Sequence, residues 1–527
     1  MGQIRFSMIF FYLLSFLEGT SVMAAELLGA KMLSPYFGSS LYVWSAALAV
    51  TLGGLAMGYF SGGIVSQKKN TEQNLYFILL ASAVFLVVMP GMAKEVMVHT
   101  ARFSFLPSIA VSCVIFLLPP VFFMGMVSPM IVGQITTLYH SHEKSGKAAG
   151  TVYAISTLGG ILSTFLLGFY LIPNFGLTKP AIVMGIILGI IPFVKLISAR
   201  KFFSLIFPLA AVVSFSSSSH ISPPTSHLSI LYSREGLLGQ IIVVDYPLYE
   251  GEKKRDGFQR VLFVNRSTQT IVTYKNGEKT FFEYVDLISD KTKNTEYRIQ
   301  NTEKKKALVL GLGGGSVANE LVKNGFTVDA VELDERMADV AKKYFDLNDK
   351  VNVNIDDARH YVKSHHTNLK SQYSIIVLDA FIGEVNPHHL FTTEFFSEIK
   401  SILSAHGMFF INGNGFWNGA AGKGMRSVCK TLINSGFDVE VLPTGEEEDY
   451  RNLLFIAKPI NKSIGQVTWD KSYRTNLTAQ ISNAVILTDE KPQLEILNAE
   501  ANKRWREACM KYFLSGYYSK RDMLLFK

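Results

Sequence analysis

The chain has 527 residues, 48% of them hydrophobic and 18% charged, with a mean hydropathy of +0.22. Soluble globular chains carry roughly 25% charged residues, so these averages disfavour an ordinary soluble enzyme. The first 216 residues hold twelve Lys+Arg and five Asp+Glu, so +7 of the formal +8 sits there and the last 311 residues are close to neutral. A nucleic-acid binder would concentrate basic residues on its soluble part, so no nucleic-acid partner is expected. Cys113, Cys429 and Cys509 are too few and too scattered for a disulfide framework or a Cys-rich metal site, and no metal is expected.

Seven apolar stretches follow one another: Phe6 to Leu28, Tyr42 to Val65, Leu75 to Met92, Ser108 to Met130, Ala148 to Leu171, Ala181 to Leu196 and Phe202 to Phe215. A helix needs about 20 apolar residues to cross the hydrocarbon core, so five qualify, the sixth is short and the seventh is marginal. Residues 1–216 therefore read as a helical membrane domain of six or seven spans whose partner is the lipid bilayer. Arg5, the run Phe6 to Leu17 and the small residues of SVMAAE also fit a cleavable leader; the apolar character past Glu26 and the spans that follow favour a retained helix. Glu18 and Glu26 are costly in lipid, so both are expected to face the bundle interior, either in a structural hydrogen bond to a neighbouring helix or as a polar site, with Lys31 the nearest candidate counter-ion for Glu26. LGGLAMGYFSGG and STLGGILSTFLLG fit close helix contacts, and Pro119, Pro120 and Pro129 predict a broken or kinked fourth span.

Ser214 to His227 is Ser/Pro-rich, and residues 217–227 read as a linker. The pattern then changes to short β-like pieces, IIVVDY, RVLFVN and TIVTY. They predict a small antiparallel sheet over about Leu228 to Tyr274 and a helix through FFEYVDLI, together a β-rich domain over 228–290.

Within 291–527, Ala307 to Leu310 forms a strand, Gly311, Gly313, Gly314 and Gly315 a tight turn, and Ser316 opens a helix. A second strand ends at Glu332, 21 residues after Gly311. In this arrangement glycine backbone approaches a nucleotide and an acid accepts from ribose hydroxyls, for dinucleotide and S-adenosylmethionine enzymes alike. Asp357 follows a third strand, where a carboxylate can accept from an adenine amino group, and Asp379 ends a buried fourth. Ligands of open α/β sheets sit outside the carboxyl ends of the strands, where all three acids point. The expected fold is thus a multi-span α-helical membrane domain followed by a small antiparallel sheet and a Rossmann-like, methyltransferase-type α/β domain with a basic amphipathic C-terminal helix. Nothing beyond the glycine turn and Glu332 supports an NAD-dependent oxidoreductase.

From about Leu228 to Pro459 the chain resembles the spermidine synthases, the polyamine aminopropyltransferases, and as a whole it resembles bacterial membrane proteins that fuse such a domain to a multi-span half. The resemblance rests on LLGQIIVVD, RVLFVNRSTQT, FEYVDLI, the glycine turn and the three acids. It implies nucleoside contacts from Gln240, Gln269, Gly311, Gly313, Gly315, Glu332 and Asp357, a substrate cleft lined by Tyr284 and Asp286, and Asp379 as the catalytic aspartate. The donor it implies is decarboxylated S-adenosylmethionine or S-adenosylmethionine, and the acceptor a small amine or polyamine-like substrate; a homodimer is left open. Two departures stand out. Gly314 and Ile382 occupy places where the family carries acids that hold the diamine, and Glu384, His388 and His389 are the candidate replacements in the same loop. A nucleoside-binding domain that regulates a transporter or sensor is the competing reading. The implied location is the inner (cell) membrane of a bacterium. Because S-adenosylmethionine is made in the cytosol, the catalytic domain is expected on the cytoplasmic side, with Phe202 to Phe215 re-entrant or interfacial.

Overall fold

The computed structural model describes residues 2–38, 41–100, 105–138, 145–219, 229–236, 238–250, 253–275, 278–293, 305–365, 372–381, 383–460, 477, 479–491 and 493–514. Two compact units emerge: the described part of Met1–Pro223 with Arg234–Gln240, and the described part of Ile241–Ser519 with the residues just before Arg234. Most of the expected 217–227 linker lies outside the described residues, and its first residues end a helix.

The first unit consists of α1 Gly2–Phe37, α2 Leu41–Ser66, α3 Thr71–Thr100, α4 Phe105–Phe116, α5 Leu118–Leu138, α6 Ser145–Leu166, α7 Ile172–Phe175, α8 Thr178–Ser198 and α9 Ile206–Ser219. A π-helical turn, Leu167–Leu171, joins α6 to α7. Among the described residues six segments are long and apolar enough to cross a membrane: Ser7–Phe37, Tyr42–Ser66, Thr71–Met97, Leu118–Leu138, Ser145–Phe175 and Thr178–Ser198. The marginal seventh stretch forms only the short apolar helix Phe202–Ser216, about 22 Å long at 1.5 Å per residue. The proline-rich fourth stretch breaks where expected. Helix α4 stops at Phe116 and α5 begins at Leu118, which places Pro119 and Pro120 in a first turn whose N–H groups need no helical partner.

Small residues set the helix spacing. A Cβ on Gly19 of α1 would lie 2.0 Å from the Ser156 carbonyl oxygen of α6, so only glycine permits that approach. Outer faces carry large apolar side chains such as Leu52, Phe60 and Phe169, which are 66%, 74% and 77% exposed. The Glu235 carboxylate accepts from the Leu177 backbone N–H at 2.7 Å, capping the start of α8.

In the second unit, β1 Ser229–Arg234, β2 Ile241–Glu250, β3 Lys253–Val264, β4 Ser267–Lys275 and β5 Glu278–Thr280 form a sheet in chain order, with two strands, β1 and β5, beyond the three pieces read from the sequence. Asn265 and Arg266 both have positive φ and turn β3 into β4, as a tight hairpin requires. Helix α10, Glu283–Lys293, leads into a seven-stranded sheet. Its strands are β6 Lys306–Leu310, β7 Thr327–Glu332, β8 Val351–Ile355, β9 Tyr373–Leu378, β10 Leu403–Asn414, β11 Phe437–Pro443 and β12 Asn452–Pro459, in the order β11-β12-β10-β9-β6-β7-β8. β12 is antiparallel to both neighbours and the other pairs are parallel, the arrangement of a methyltransferase-type Rossmann fold.

Helices cover both faces of this sheet, which explains the unbroken apolar strands. Leu308, Leu310, Ile376 and Leu378 pack towards Phe395, Ile399, Val428 and Leu432, whereas Ala307, Val309, Ile375 and Val377 pack towards Tyr284, Ile288, Val317 and Leu321. Chain order reverses between β6 and β9, creating a crevice at their carboxyl ends.

Candidate functional site

The glycine turn follows β6 directly. Gly311, Gly313 and Gly315 have φ of +95°, +52° and +80°, a region that favours glycine. Gly311 also lets two strand ends meet, because a Cβ there would lie 2.3 Å from the Asp379 carbonyl oxygen. The Asp379 N–H donates to Leu310 O at 2.8 Å and the Gly311 N–H to Val331 O at 2.9 Å, holding the ends of β6, β7 and β9 together.

Each strand end presents an acid. Glu332 Oε2 accepts from the Leu312 N–H at 3.0 Å and Oε1 from the Asp334 N–H at 2.9 Å, so the carboxylate braces the turn beside it. Burial raises its pKa and the backbone donors oppose that shift. Asp357 Oδ1 accepts from the Arg359 and His360 N–H groups, both at 2.9 Å, and Oδ2 faces His389 Nε2 at 3.1 Å. The His389 contact is the chief reason its pKa is held down to about 2.

Asp379 is arranged differently. Its Oδ2 accepts from the Tyr284 hydroxyl at 2.9 Å and its Oδ1 from Asn412 Nδ2 at 2.8 Å. Asn412 Oδ1 in turn accepts from Asn452 Nδ2 at 2.9 Å. Both direct partners are neutral, and Asp379 forms no ion pair among the described residues. Burial raises its pKa above the ordinary carboxylate value, with Asn412 and Tyr284 pulling the other way. Tyr284 is pushed well above its own ordinary value, first by burial and then by Asp379, so it remains a donor.

Other candidate residues lie elsewhere. Two residues along α10 from Tyr284, Asp286 is exposed, and its electrostatic neighbours are Glu320, Asp290, Lys293 and Glu283. Gln269 Nε2 donates to the Gly383 carbonyl at 3.0 Å and so braces the loop after Asp379. Glu384 is not a free acid: it is buried against Arg506 of the C-terminal helix Ala499–Leu514, which also donates to Asn265 O at 2.9 Å. His389 is committed to Asp357, while His388 is exposed with its ring edge-on to that of His389. Gln240 belongs to the helical unit. In that unit Glu18 is buried with hydrogen bonds from Ser128 and Ser156, whereas Lys31 lies over the Trp44 ring and forms no ion pair with Glu26.

Three residues were not singled out from the sequence. Thr270 Oγ1 accepts the Gly314 N–H at 2.9 Å, and a Cβ on Gly314 would sit 2.7 Å from Thr270 Cγ2. The place where an acid was expected is therefore filled from β4; Ile382, the other departure, lies outside the described residues. Asn412 and Asn452 were also missed, because they reach Asp379 only through sheet pairing of distant strands. Among the described residues no group of three His, Cys, Asp or Glu is placed to hold a metal.

The fold and the acid-bearing strand ends define a methyltransferase-type Rossmann domain. Residues 288–442 match the family model described as the spermine/spermidine synthase domain. A polyamine aminopropyltransferase of Vibrio vulnificus is 40% identical over 117 residues, covering 21% of this chain and 38% of that protein. Another, from Thermoplasma volcanium, is 30% identical over 189 residues, 33% of this chain and 65% of that protein. The chain thus spans less than two thirds of either relative. A crystal structure of a probable spermidine synthase from Corynebacterium glutamicum aligns with 50% of this chain and 90% of its own at 18% identity, with a TM-score of 0.35.

Proposed function

We propose that this is a membrane-anchored transferase that binds decarboxylated S-adenosylmethionine or S-adenosylmethionine and moves an alkyl group, the aminopropyl group in the first case, to an amine. The observation that carries this reading is Asp379: a carboxylate at a topological switch point, held by two neutral donors and adjoining the glycine turn. Glu332 and Asp357 stand at the next two strand ends, where a ribose and an adenine would be held. The catalysed step is displacement at a carbon attached to a sulfonium. The C–S bond breaks, its electron pair stays on sulfur, and the amine nitrogen forms the new C–N bond. The amine must arrive unprotonated and in line. In this scheme Asp379 orients the amine and accepts the proton released as the C–N bond forms. Tyr284 and Asn412 fix the carboxylate without neutralising it, and Asn452 fixes Asn412.

Product analysis tests the proposal. The purified full chain is incubated with each donor and a pool of amines, and 5′-methylthioadenosine or S-adenosylhomocysteine is measured. Either product, lost in Asp379→Asn, supports the reading; neither product across a broad acceptor set rejects turnover. Glu332→Ala should abolish nucleoside binding in calorimetry, and unchanged affinity would reject the ribose assignment.

A further inference from the structure

We propose that the amine taken by the Asp379 site is a monoamine, one basic nitrogen on an uncharged remainder. The inference rests on the transferase reading of that site and narrows its acceptor. Asp379 keeps some exposure at the end of β9, so an amine can reach it. Its surroundings come from several elements. Helix α10 gives the Tyr284 hydroxyl and β10 the Asn412 carboxamide. The glycine turn meets the Asp379 backbone at Gly311, and β4 covers that turn with Thr270. The adjacent Gln269 holds the loop after Asp379 through Gly383 O. Tyr284, Asn412, Thr270 and Gln269 all carry no charge near neutral pH.

Among the described residues that loop brings one further carboxylate, and its charge is already matched. Glu384 is 6% exposed and pairs with Arg506, which is 2% exposed. Arg506 also donates to Asn265 O at 2.9 Å, so the guanidinium is fixed between the loop and the β3–β4 hairpin. Its Nη2 lies 3.8 Å from the point that a Cβ on Gly383 would occupy. A second ammonium on this side would meet a neutral pair that contains a cation. Drawing Glu384 away from Arg506 would strand a buried guanidinium, which is strongly unfavourable.

The other sides offer no better partner. Asp286 is exposed and lies about 200° around α10 from Tyr284, so it does not share the approach to Asp379. At the glycine turn, Thr270 Oγ1 accepts the Gly314 N–H at 2.9 Å, and its methyl lies 2.7 Å from the place of a Gly314 Cβ. That wall suits an alkyl chain, whereas a desolvated charge facing it would go uncompensated. Glu332 and Asp357 stand at the next strand ends, where the nucleoside is to be held. One unmatched carboxylate thus balances one cation.

Calorimetry on the full chain in lipid nanodiscs, saturated with 5′-methylthioadenosine, tests this by comparing butylamine with 1,4-diaminobutane. Butylamine should bind at least about tenfold more tightly, since the diamine leaves one charge unpaired. Equal or tighter binding of the diamine, or binding of neither, overturns the inference. Glu384→Gln should leave the ratio of the two affinities unchanged; a selective loss of diamine binding would make Glu384 a second anchor and overturn it. Gly314 lies outside the positive-φ region, so its backbone accepts a side chain. Gly314→Asp combined with Thr270→Ala should therefore shift the ratio towards the diamine by at least about tenfold, the weight of one charge-assisted contact. An unmoved ratio there removes the glycine turn from the amine's surroundings and overturns the inference too. Turnover is read separately, with the donor in place of methylthioadenosine. Missing product alongside the expected binding order rejects the transferase reading alone, whereas product formed in preference from diaminobutane rejects only the monoamine.

Discussion

At the residue scale, Asp379 faces opposing demands. Burial favours its neutral form, yet accepting a proton from an amine requires the ionised one. Activity should therefore fall as the pH drops through a value above the ordinary carboxylate pKa of about 3.9. Tyr284 and Asn412 lower that value, so Tyr284→Phe or Asn412→Ala should move the acid limb of the pH–rate profile upward. An acid limb unmoved in both variants would remove Asp379 as the titrating group. Stability carries the opposite sign. A carboxyl whose pKa is raised on folding contributes stability below its unfolded pKa, and that contribution is lost as the pH rises through the folded value. Asp379→Asn should thus abolish product and raise the melting temperature at pH 7, measured by thermal unfolding; a lower one would show that the two neutral donors already outweigh burial. The acid itself was legible in the sequence because it ends an apolar strand at the expected spacing. Its partners Asn412 and Asn452 were not, since they lie 33 and 73 residues downstream and reach it only through β10 and β12. Asp286 is a different case. Helical residues two apart lie about 200° apart around the axis, so with Tyr284 turned towards Asp379 the exposed position of Asp286 follows from the local periodicity alone.

At the scale of elements, the glycine turn is closed by β4 rather than by a residue of its own. Thr270 Oγ1 satisfies the Gly314 N–H and its methyl fills the space above. Restoring an acid with Gly314→Asp should cost roughly 1–3 kcal/mol through overpacking. Adding Thr270→Ala should recover much of that, a non-additivity visible in denaturant midpoints; simple additivity would mean that Thr270 does not limit the turn. A second junction lies on the far side of the sheet. Arg359 is buried and pairs with Glu398 and with Asp489, both bidentately, while also donating to His389 O at 3.1 Å. It opens the short helix Ala358–His365 and ties the segment around Asp489 to the helix Thr393–Ile402. Arg359→Met removes both bidentate pairs, leaving Glu398 only Lys363 at 3.6 Å and Asp489 only the Thr392 hydroxyl, although Asp489 is 40% exposed and can recover water. A loss of about 3 kcal/mol in chemical unfolding is expected. The acidic stretch near Asp489 was visible in the sequence, but its partner 130 residues away was not.

At the scale of the whole molecule, the parity of the apolar segments bears on the proposed cytoplasmic placement of the second unit. Among the described residues six segments qualify by length and composition, and Phe202–Ser216 is shorter than these. An even number places both ends of the membrane half on one side. Starting inside, the sequence at and between the apolar stretches on that side holds Arg5, Lys68, Lys69, Lys144, Lys147, Arg200 and Lys201, against Lys31, Lys94, Arg102 and Lys179 opposite. The excess is modest, but it agrees in sign with the parity and with donor supply, because S-adenosyl nucleosides are cytosolic. Sequence composition alone left six or seven spans open; the proposed topology takes six, because the helix that begins only after Arg200 and Lys201 has an apolar length short of the hydrocarbon core. A reporter fused after Lys527 should accordingly be active in the form that works inside the cell and silent in the form that works outside. Moving two of the inside charges, by Lys68→Gln and Lys69→Gln, should raise the inverted fraction, since orientation responds to loop Lys and Arg near the span ends. Activity only of the external reporter would reverse the topology and separate the acid-lined crevice from the donor pool that its proposed chemistry requires.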